Sequence, residues 1–352
     1  MSSEIHGLRP DMVFREAAKP AIGQKLDDIF QYEAGTRAGD DIEALHDMRV
    51  ASRRLRAAMD VFAPCYPRRD FAPLNKLARS LTRALGSVRD RDVQIEALVR
   101  YAKKAPAEEQ AGVAELTRVL RDERDLYRLE MTQTLDSVDQ AGFRHLLYLL
   151  LMRNPRAGAK QAKKAGLDPD ASLQENARLI SVQRVATLYG YVPFIHDPSK
   201  VAELHEMRIA AKHLRYALEI FRVCFGPDID QRIEDVKDVQ EQIGEIHDCD
   251  VLTEVLRRQL SATAQRRDQE LVESVMASVS YTERMSSMRE RMAEQALRDP
   301  RPGLLSLLAH KVEERNRRYG EFLSWWDEAQ QADMRGKLYS CIAAVNGLSE
   351  SA

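Results

Sequence analysis

The stretch LHDMRVASRRLRAAMDVF, residues 45–62, combines the apolar spacing of an amphipathic helix with one histidine and four arginines. At about 100° per residue, one apolar sector of this helix contains Leu45, Met48, Leu55, Met59 and Phe62. A second sector beside it contains the cations His46, Arg49, Arg53 and Arg56. Asp40 with Glu43 suggests a capping box, and Pro64 stops a helix, so we expect one helix over residues 42–63.

The same pattern returns 159 residues later as LHEMRIAAKHLRYALEIF, residues 204–221, with nine of the 18 positions identical. The second row of cations is His205, Arg208, Lys212 and Arg215. The same offset relates Cys65 to Cys224 and Lys25 to Arg184. After a shift of one residue, LGSVRDRDV (85–93) matches IGEIHDCDV (243–251). We interpret the chain as two copies of one helical unit.

Composition favours helix almost throughout, because Ala, Leu, Glu, Arg and Gln are abundant and no Val/Ile stretch alternates with period two. The expected fold class is therefore all-α. The repeat predicts a first unit at residues 15–152, a basic Gly/Pro-containing linker at 153–171, a second unit at 172–330 and a helical tail at 331–352. A period this long is not that of a solenoid, so we expect two lobes related by a pseudo-twofold axis.

Charge is distributed unequally between the copies. A third series with helical spacing, Lys76, Arg79 and Arg83, follows the first row. In the second copy only Lys237 remains, and Glu234 and Glu241 occupy the other two places. Residues 46–104 contain 14 Lys or Arg against six Asp or Glu, whereas residues 205–258 contain eight against 12. We expect an anionic ligand to lie nearer the first copy, unless these cations pair with carboxylates within the chain.

Bulk properties limit the class of protein. The net charge of −2 predicts no anionic partner by itself. The four cysteines are far apart, without a CxxC pair or a secretory leader, so we expect buried thiols in a reducing cytoplasm. The longest apolar run, residues 146–152, is too short for a bilayer span, so no membrane association is expected.

The two histidine-arginine helices, each followed by an LGxxRDxDV or IGxxxDxDV element, resemble the CHAD family, the conserved histidine α-helical domain. The resemblance implies two pseudosymmetric four-helix-type bundles around a basic central cavity that binds inorganic polyphosphate in the cytoplasm, in association with polyphosphate granules. The motif residues carried over are His46, Arg49, Arg53, Arg56, His205, Arg208, Lys212 and Arg215. Register and charge geometry add Lys25, Lys76, Arg79, Arg83 and Arg184. No ExExK motif of a triphosphate-tunnel domain occurs, so a non-enzymatic module without cofactor or metal is expected.

Alternatives remain open at this stage. The pairs His46-Asp47 and His247-Asp248 resemble those of metal-dependent phosphohydrolases. A separate reading makes His46 and His205 joint metal ligands across the pseudo-twofold axis. A scaffold that binds an acidic protein surface is a third reading. Nucleic acid is a weaker candidate, because the cation rows lack aromatic residues for base stacking. The recurring Asp90, Asp92, Asp248 and Asp250 either bind a divalent ion, or cap a helix and orient arginines such as Arg49 and Arg208.

Overall fold

The chain is described by a computed structural model over residues 5–39, 41–153, 162, 164–277, 279–297 and 299–344. Its regular structure in this range is helical, and the one β feature there is an isolated bridge between Val13 and Ser172. The all-α prediction is confirmed. The helices are α1 Phe14–Gln31, α2 Glu33–Ala38, α3 Ile42–Phe62, α4 Arg68–Ala102, α5 Ala107–Gln140, α6 Phe143–Met152, α7 Leu173–Tyr189, α8 Val201–Ile220, α9 Ile229–Ala277, α10 Tyr281–Leu297, α11 Arg301–Gln331 and α12 Met334–Ala343.

Helix α3 forms over almost the range that its sequence predicts. Its N-cap is Asp41, whose side chain accepts a hydrogen bond from the Glu43 amide at 2.8 Å. Asp40, which the sequence analysis proposed as the cap, lies outside the described residues, and the N-cap in the structure is Asp41. The helix ends at Phe62 because residues 63–65 continue as a 3-10 turn that contains Pro64. The five apolar positions of its predicted buried sector are at most 4% exposed.

The starts of α1 and α7 are joined backbone to backbone. Val13 and Ser172, which are 159 residues apart, form an antiparallel bridge. The Phe14 amide donates to the carbonyl of Ala171 at 3.0 Å, and the Leu173 amide donates to the carbonyl of Met12 at 2.7 Å. Ser172 also forms a capping box with Glu175 at the start of α7. The two register-matched helices therefore begin at one place in the fold.

An aromatic cluster connects the ends of α3 and α8. The ring centres of Phe62 and Phe221 are 6.3 Å apart with a T-shaped geometry, and Phe14 lies 4.9 Å from Phe62 and 6.4 Å from Phe221. All three rings are fully buried. Burial of each ring stabilises the fold by about 1.5–3 kcal/mol relative to exposure. This cluster holds the two histidine-arginine helices together at their C-terminal ends.

The chain divides into two compact units that each draw on both sequence copies. Unit 1 comprises Met1–Arg89, Tyr127–Gly244 and Glu321–Ala352. Unit 2 comprises Asp90–Leu126 and Glu245–Gly320. The core of unit 2 is built by residues of α4, α5, α9 and α11, namely Leu98, Val113, Leu116, Leu120, Leu252, Val255, Leu256, Leu304 and Leu307. The unit boundaries are not those of the repeat, and the predicted boundaries of the two copies stay a prediction.

Several smaller expectations can be compared with the structure. The four cysteines are free and buried, as predicted. Much of the predicted linker, residues 154–161 and 163, lies outside the described residues, as do residues 345–352 of the predicted tail. Trp326 is buried in unit 1, where its ring centre lies 5.8 Å from that of Tyr189. None of the helices in the described part of the chain is long and apolar enough to cross a membrane.

Candidate anion-binding site

The two predicted rows of cations lie on helices that pack against each other inside unit 1. Helix α3 contacts α8 directly. Helix α1 packs against α3, and α7 packs against α8. The apolar sectors of α3 and α8 are buried, and the cation rows beside them are only partly exposed. The rows therefore border the contact between the two helices.

Lys212 shows that the two rows approach each other. Burial, together with the neighbouring positive charges of Arg53, Arg208, Arg56 and Arg49, lowers the pKa of Lys212 to about 8. Three of these arginines come from α3 and one from α8. We call these five residues, Arg49, Arg53, Arg56, Arg208 and Lys212, the cation cluster. Positive charges from both sequence copies meet in it.

An aromatic ring that the sequence analysis missed lies between the rows. The Cζ atom of Arg53 is 5.9 Å from the ring centre of Tyr216, and that of Arg215 is 5.0 Å from it. Tyr216 is 5% exposed, so its ring supports two guanidinium groups and has no open face for a nucleobase. The equivalent position in the first copy is Ala57, so the repeat gave no signal for this residue.

Two register-matched carboxylates provide part of the counter-charge. Glu219 lies 3.7 Å from Arg54 Nε and 3.6 Å from Arg215 Nε, and so bridges α3 and α8. Asp60, its counterpart in the first copy, lies 3.6 Å from a terminal nitrogen of Arg79. The sequence signal was the conservative Asp-to-Glu exchange between the copies, which the sequence analysis did not use. Neither carboxylate forms an ion pair with Arg53 or Lys212 in the described structure.

The third series of cations extends this positive surface onto α4. Lys76, Arg79 and Arg83 are all exposed. Burial lowers the pKa of Arg56, and Arg79 and Arg83 contribute to that shift. Two members of the series therefore lie within electrostatic reach of the cation cluster.

The corresponding face in the second copy is neutralised. Lys237 forms an ion pair with Glu234 at 2.7 Å, and this hydrogen bond raises the pKa of Lys237. Glu234 in turn acts on Arg215, whose positive charge helps to lower the pKa of that carboxyl. The positive surface is therefore asymmetric, with its excess on the side of the first copy.

Lys25 and Arg184 occupy matching helices but differ in environment. Lys25 on α1 is 3% exposed and its ammonium pairs with Asp28 at 3.1 Å. It therefore offers little surface to a ligand. Arg184 on α7 is partly exposed and donates a hydrogen bond to the backbone carbonyl of His213. Burial lowers the pKa of Arg184 to about 10, and Asp60 opposes that effect.

The two motif histidines lie at the N-terminal ends of the rows and are partly exposed. Burial lowers the pKa of His205, and the positive charges of Arg208 and Lys212 add to the effect. Both effects favour the neutral form of His205. In the part of the chain that the structure describes, no group of three or more His, Cys, Asp or Glu side chains could hold a metal ion.

The recurring aspartates of unit 2 include two that hold arginines. Asp92 pairs with Arg124 at 3.1 Å, and Asp250 pairs with Arg315 at 3.1 Å. The structural reading of these aspartates was therefore right in kind for both residues. The arginines seen in these two pairs are Arg124 on α5 and Arg315 on α11. A role of the four aspartates in orienting Arg49 and Arg208 stays a prediction.

The fold and site together define an all-α protein with a cation cluster on two register-matched helices. The CHAD domain profile matches residues 20–257. Because this match covers more than half of the chain, the chain belongs to the CHAD domain family. No curated protein matches the chain.

Two solved structures are similar to this one. The crystal structure of the CHAD domain from the plant Ricinus communis matches at 25% sequence identity with a TM-score of 0.59, over 86% of this chain and 96% of that chain. PptA from Streptomyces chartreusis matches at 14% identity with a TM-score of 0.49, over 89% of this chain and 100% of that chain. The first of these agrees with the family assignment.

Proposed function

We propose that this protein binds inorganic polyphosphate without hydrolysing it, at the cation cluster of α3 and α8. The observation that carries the proposal is the convergence of Arg49, Arg53, Arg56 and Arg208 on Lys212. The resemblance to the CHAD family gives polyphosphate as the expected ligand. Membership of that family supports the expectation.

The cation cluster is electrostatically unfavourable without a ligand. Like charges at helical spacing destabilise a helix by a few tenths of a kcal/mol per pair, and here two such rows are pressed together. Arg53 and Lys212 have no carboxylate partner in the described structure. A chain of phosphates would offset the repulsion, because guanidinium groups bind phosphate oxygens through paired hydrogen bonds and keep their charge at any cellular pH.

Polyphosphate suits this surface better than nucleic acid. Proteins that bind single-stranded nucleic acid combine positive charge with aromatic rings on which bases stack. Tyr216, the aromatic ring beside the cluster, is buried beneath two guanidinium groups. Polyphosphate needs no stacking partner and can bind through the cations of this surface alone. Competition between RNA and polyphosphate for the protein would compare the two ligands directly.

Binding without hydrolysis is proposed because no described group of side chains suggests a reaction. The phosphohydrolase reading requires a metal centre built on the His-Asp pairs. The described residues contain no suitable donor set, and Arg49 and Arg208 each lie one helical turn from a motif histidine, where they repel a cation. We also propose a cytoplasmic location in association with polyphosphate granules, which imaging of the tagged protein would test.

Calorimetric titration with polyphosphate of defined length tests the proposal. We expect tight binding at low salt and weaker binding as salt is added. The variant with Arg49, Arg53, Arg208 and Arg215 changed to glutamate should lose binding. A variant of unit 2 with Arg121, Arg257, Arg258 and Arg266 changed to glutamate has the same net charge and should retain it. Circular dichroism checks that both variants fold.

Three results would count against the proposal. They are the absence of binding at low salt, unchanged binding by the first variant, and phosphate release that depends on added metal and is lost in His46→Ala. Indifference to polyphosphate together with a copurifying acidic protein would favour the scaffold reading.

A further inference from the structure

Lys212 has an arginine at the position where four other lysines of this protein have an acidic partner. Four lysines form an ion pair with a carboxylate three positions away: Lys25 with Asp28, Lys200 with Glu203, Lys237 with Glu234 and Lys311 with Glu314. Three positions after Lys212 stands Arg215. In the described structure Lys212 forms no ion pair with a carboxylate.

The elements around Lys212 surround it mainly with positive charge. Arg49, Arg53 and Arg56 of α3 and Arg208 of its own helix lie within electrostatic reach of it. The two helices are in contact, and the guanidinium groups of Arg53 and Arg215 both lie over the ring of Tyr216, one turn along α8 from Lys212. From α7, Arg184 binds the carbonyl oxygen of the next residue, His213. Lys212 is partly exposed.

Three acids of the neighbouring helices pair with other cations. Asp60 lies 3.6 Å from Arg79, and Glu219 lies between Arg54 and Arg215. On α9, Glu234 pairs with Lys237. The amine of Lys212 therefore lies in a positive field without a partner that would hold its proton.

An amine in this environment loses its proton readily and becomes a nucleophile. Burial and the surrounding arginines lower the pKa of Lys212 to about 8, against an ordinary value of 10.5. Near pH 7.5 roughly a quarter of the Lys212 side chains are then neutral, compared with about 0.1% for an ordinary lysine. The lower basicity also reduces the intrinsic reactivity of the amine, as it does for thiols, so the net advantage is about tenfold.

We propose that Lys212 is a site of covalent acylation by small acyl phosphates. The surrounding guanidinium groups bind the phosphoryl group of the reagent, and the neutral amine attacks the neighbouring carbonyl carbon. A C–N bond forms and the C–O bond to phosphate breaks. Inorganic phosphate leaves with the bonding electrons and the amine proton passes to phosphate or solvent, so the products are an amide and phosphate. The inference rests on the proposed function in one respect, that the same cations recognise phosphate.

Acylation would also regulate the site. The amide removes one positive charge from the centre of the cation cluster and places an acyl group among the guanidinium groups. Polyphosphate affinity should fall about tenfold, because one charge-assisted contact is lost and access to the others is reduced. An acyl phosphate would thereby report the metabolic state of the cell to a polyphosphate-binding surface.

The test treats the purified full-length protein with acetyl phosphate and follows acetylation of each lysine by mass spectrometry. Lys212 should react about tenfold faster than Lys200 and Lys237, which serve as internal controls in the same molecule. Tripolyphosphate should slow the reaction at Lys212 and leave Lys200 unaffected. An uncharged aryl acetate separates nucleophilicity from phosphate recognition: Arg53→Gln and Arg208→Gln should slow acetyl phosphate at Lys212 more than they slow the ester.

Acetylation of Lys212 by acetyl phosphate no faster than that of Lys200 overturns the inference, even where calorimetry detects polyphosphate binding. Fast, arginine-dependent acetylation of Lys212 supports it, and does so also if polyphosphate fails to bind, in which case the proposed function alone is wrong. The comparison of lysines within the unmodified sequence needs no variant, so a variant that misfolds does not prevent the test.

Discussion

Gly244 lies so close to Arg208 that a Cβ atom at position 244 would be 3.4 Å from Arg208 Nε. The register-matched pair repeats the relationship, since a Cβ atom at Gly86 would be 3.7 Å from Arg49 Nε. The sequence analysis identified the recurring glycines. The structure shows that each leaves room for the guanidinium of its own copy, so each helps to place an arginine of the cation cluster.

Enlarging Gly244 should displace Arg208 and weaken anion binding. In Gly244→Leu the added carbons enter the space of the guanidinium, and we expect about a tenfold loss of polyphosphate affinity, worth about 1.4 kcal/mol. Gly244→Ala stays at ordinary contact distance and should keep its affinity while α9 gains up to about 1 kcal/mol of helix stability. Calorimetry and thermal unfolding measure the two effects.

Gly23→Leu in α1 is the matched control, because no atom lies within 4 Å of a Cβ there. It should leave affinity unchanged. Equal affinities for Gly244→Leu and the unmodified protein would show that Arg208 is not held by this contact.

Removing one cation should change the salt dependence of binding by a defined amount. The logarithm of the polyphosphate association constant should fall linearly with the logarithm of salt concentration, as it does for nucleic acids. Arg53→Gln should reduce that slope by about one, since one phosphate contact is lost. Arg118→Gln removes an exposed arginine of unit 2 that pairs with Glu115 and Asp122, and should leave the slope unaltered. A shared slope for all three proteins would contradict a role for Arg53 in binding.

Lys212 should make stability depend on pH in the absence of ligand. Its folded-state pKa of about 8 is below the ordinary value of 10.5, so the unfolded chain binds more protons between these two values. Stability contributed at this position therefore rises with pH through the window from about 8 to 10.5. At pH 7 the Lys212→Met variant should be more stable than the unmodified protein by on the order of 1–3 kcal/mol, and the difference should shrink toward pH 10.

Denaturant unfolding at pH 7, 8.5 and 10 checks the pH dependence. Lys237→Met is the control, because Glu234 raises the pKa of Lys237. Removing this lysine should therefore not stabilise the protein below pH 10. A difference between Lys212→Met and the unmodified protein that stays constant from pH 7 to 10 would contradict the pKa assigned to Lys212.

The aspartates of unit 2 should affect stability and not ligand affinity. Asp92→Asn weakens the pair with Arg124, in which the aspartate is 5% exposed, and we expect a loss of about 1–3 kcal/mol. Asp250→Asn, which weakens the pair with Arg315, should act in the same direction. Asp122→Asn is the control, since its pair with Arg118 is exposed and should contribute little.

Calorimetric unfolding with and without magnesium also tests the divalent-ion reading of these aspartates. Stabilisation of the unmodified protein by magnesium, lost in Asp92→Asn, would favour that reading over the structural one.

How far the sequence predicts the structure differs between elements. The apolar sector of α3 was predicted residue by residue, because the hydrophobic effect imposes a helical period that a sequence displays directly. The sequence analysis placed the cap of α3 at Asp40, whereas the N-cap in the structure is Asp41. Adjacent aspartates satisfy the same capping rule, and local geometry decides between them. The repeat did not predict that Lys212 lies near Arg53, because a repeat alone does not say which faces of two helices will be opposed. A shared basic cavity was implied only by the resemblance to the CHAD family.

Other features had no sequence signal or a misleading one. Lys25 matches Arg184 in register, but its ammonium is buried and pairs with Asp28. This i, i+3 ion pair lies within one helix and neutralises the charge of Lys25 there. Tyr216 replaces an alanine of the first copy, and so did not stand out as part of a shared pattern. The partners of Asp92 and Asp250 come from α5 and α11, and pairing between helices that are distant in sequence depends on tertiary packing.

The contact between Phe62 and Phe221 has a consequence for how this chain can vary. These residues occupy the same position in the two copies and share one buried space with Phe14. A larger or smaller ring in one copy must be matched by the opposite change in its counterpart, because a close-packed interior tolerates neither overlap nor a void. Substitutions at Phe62 and Phe221 should therefore be accepted in compensating pairs. Exposed positions of the two halves are free of this constraint and can vary independently.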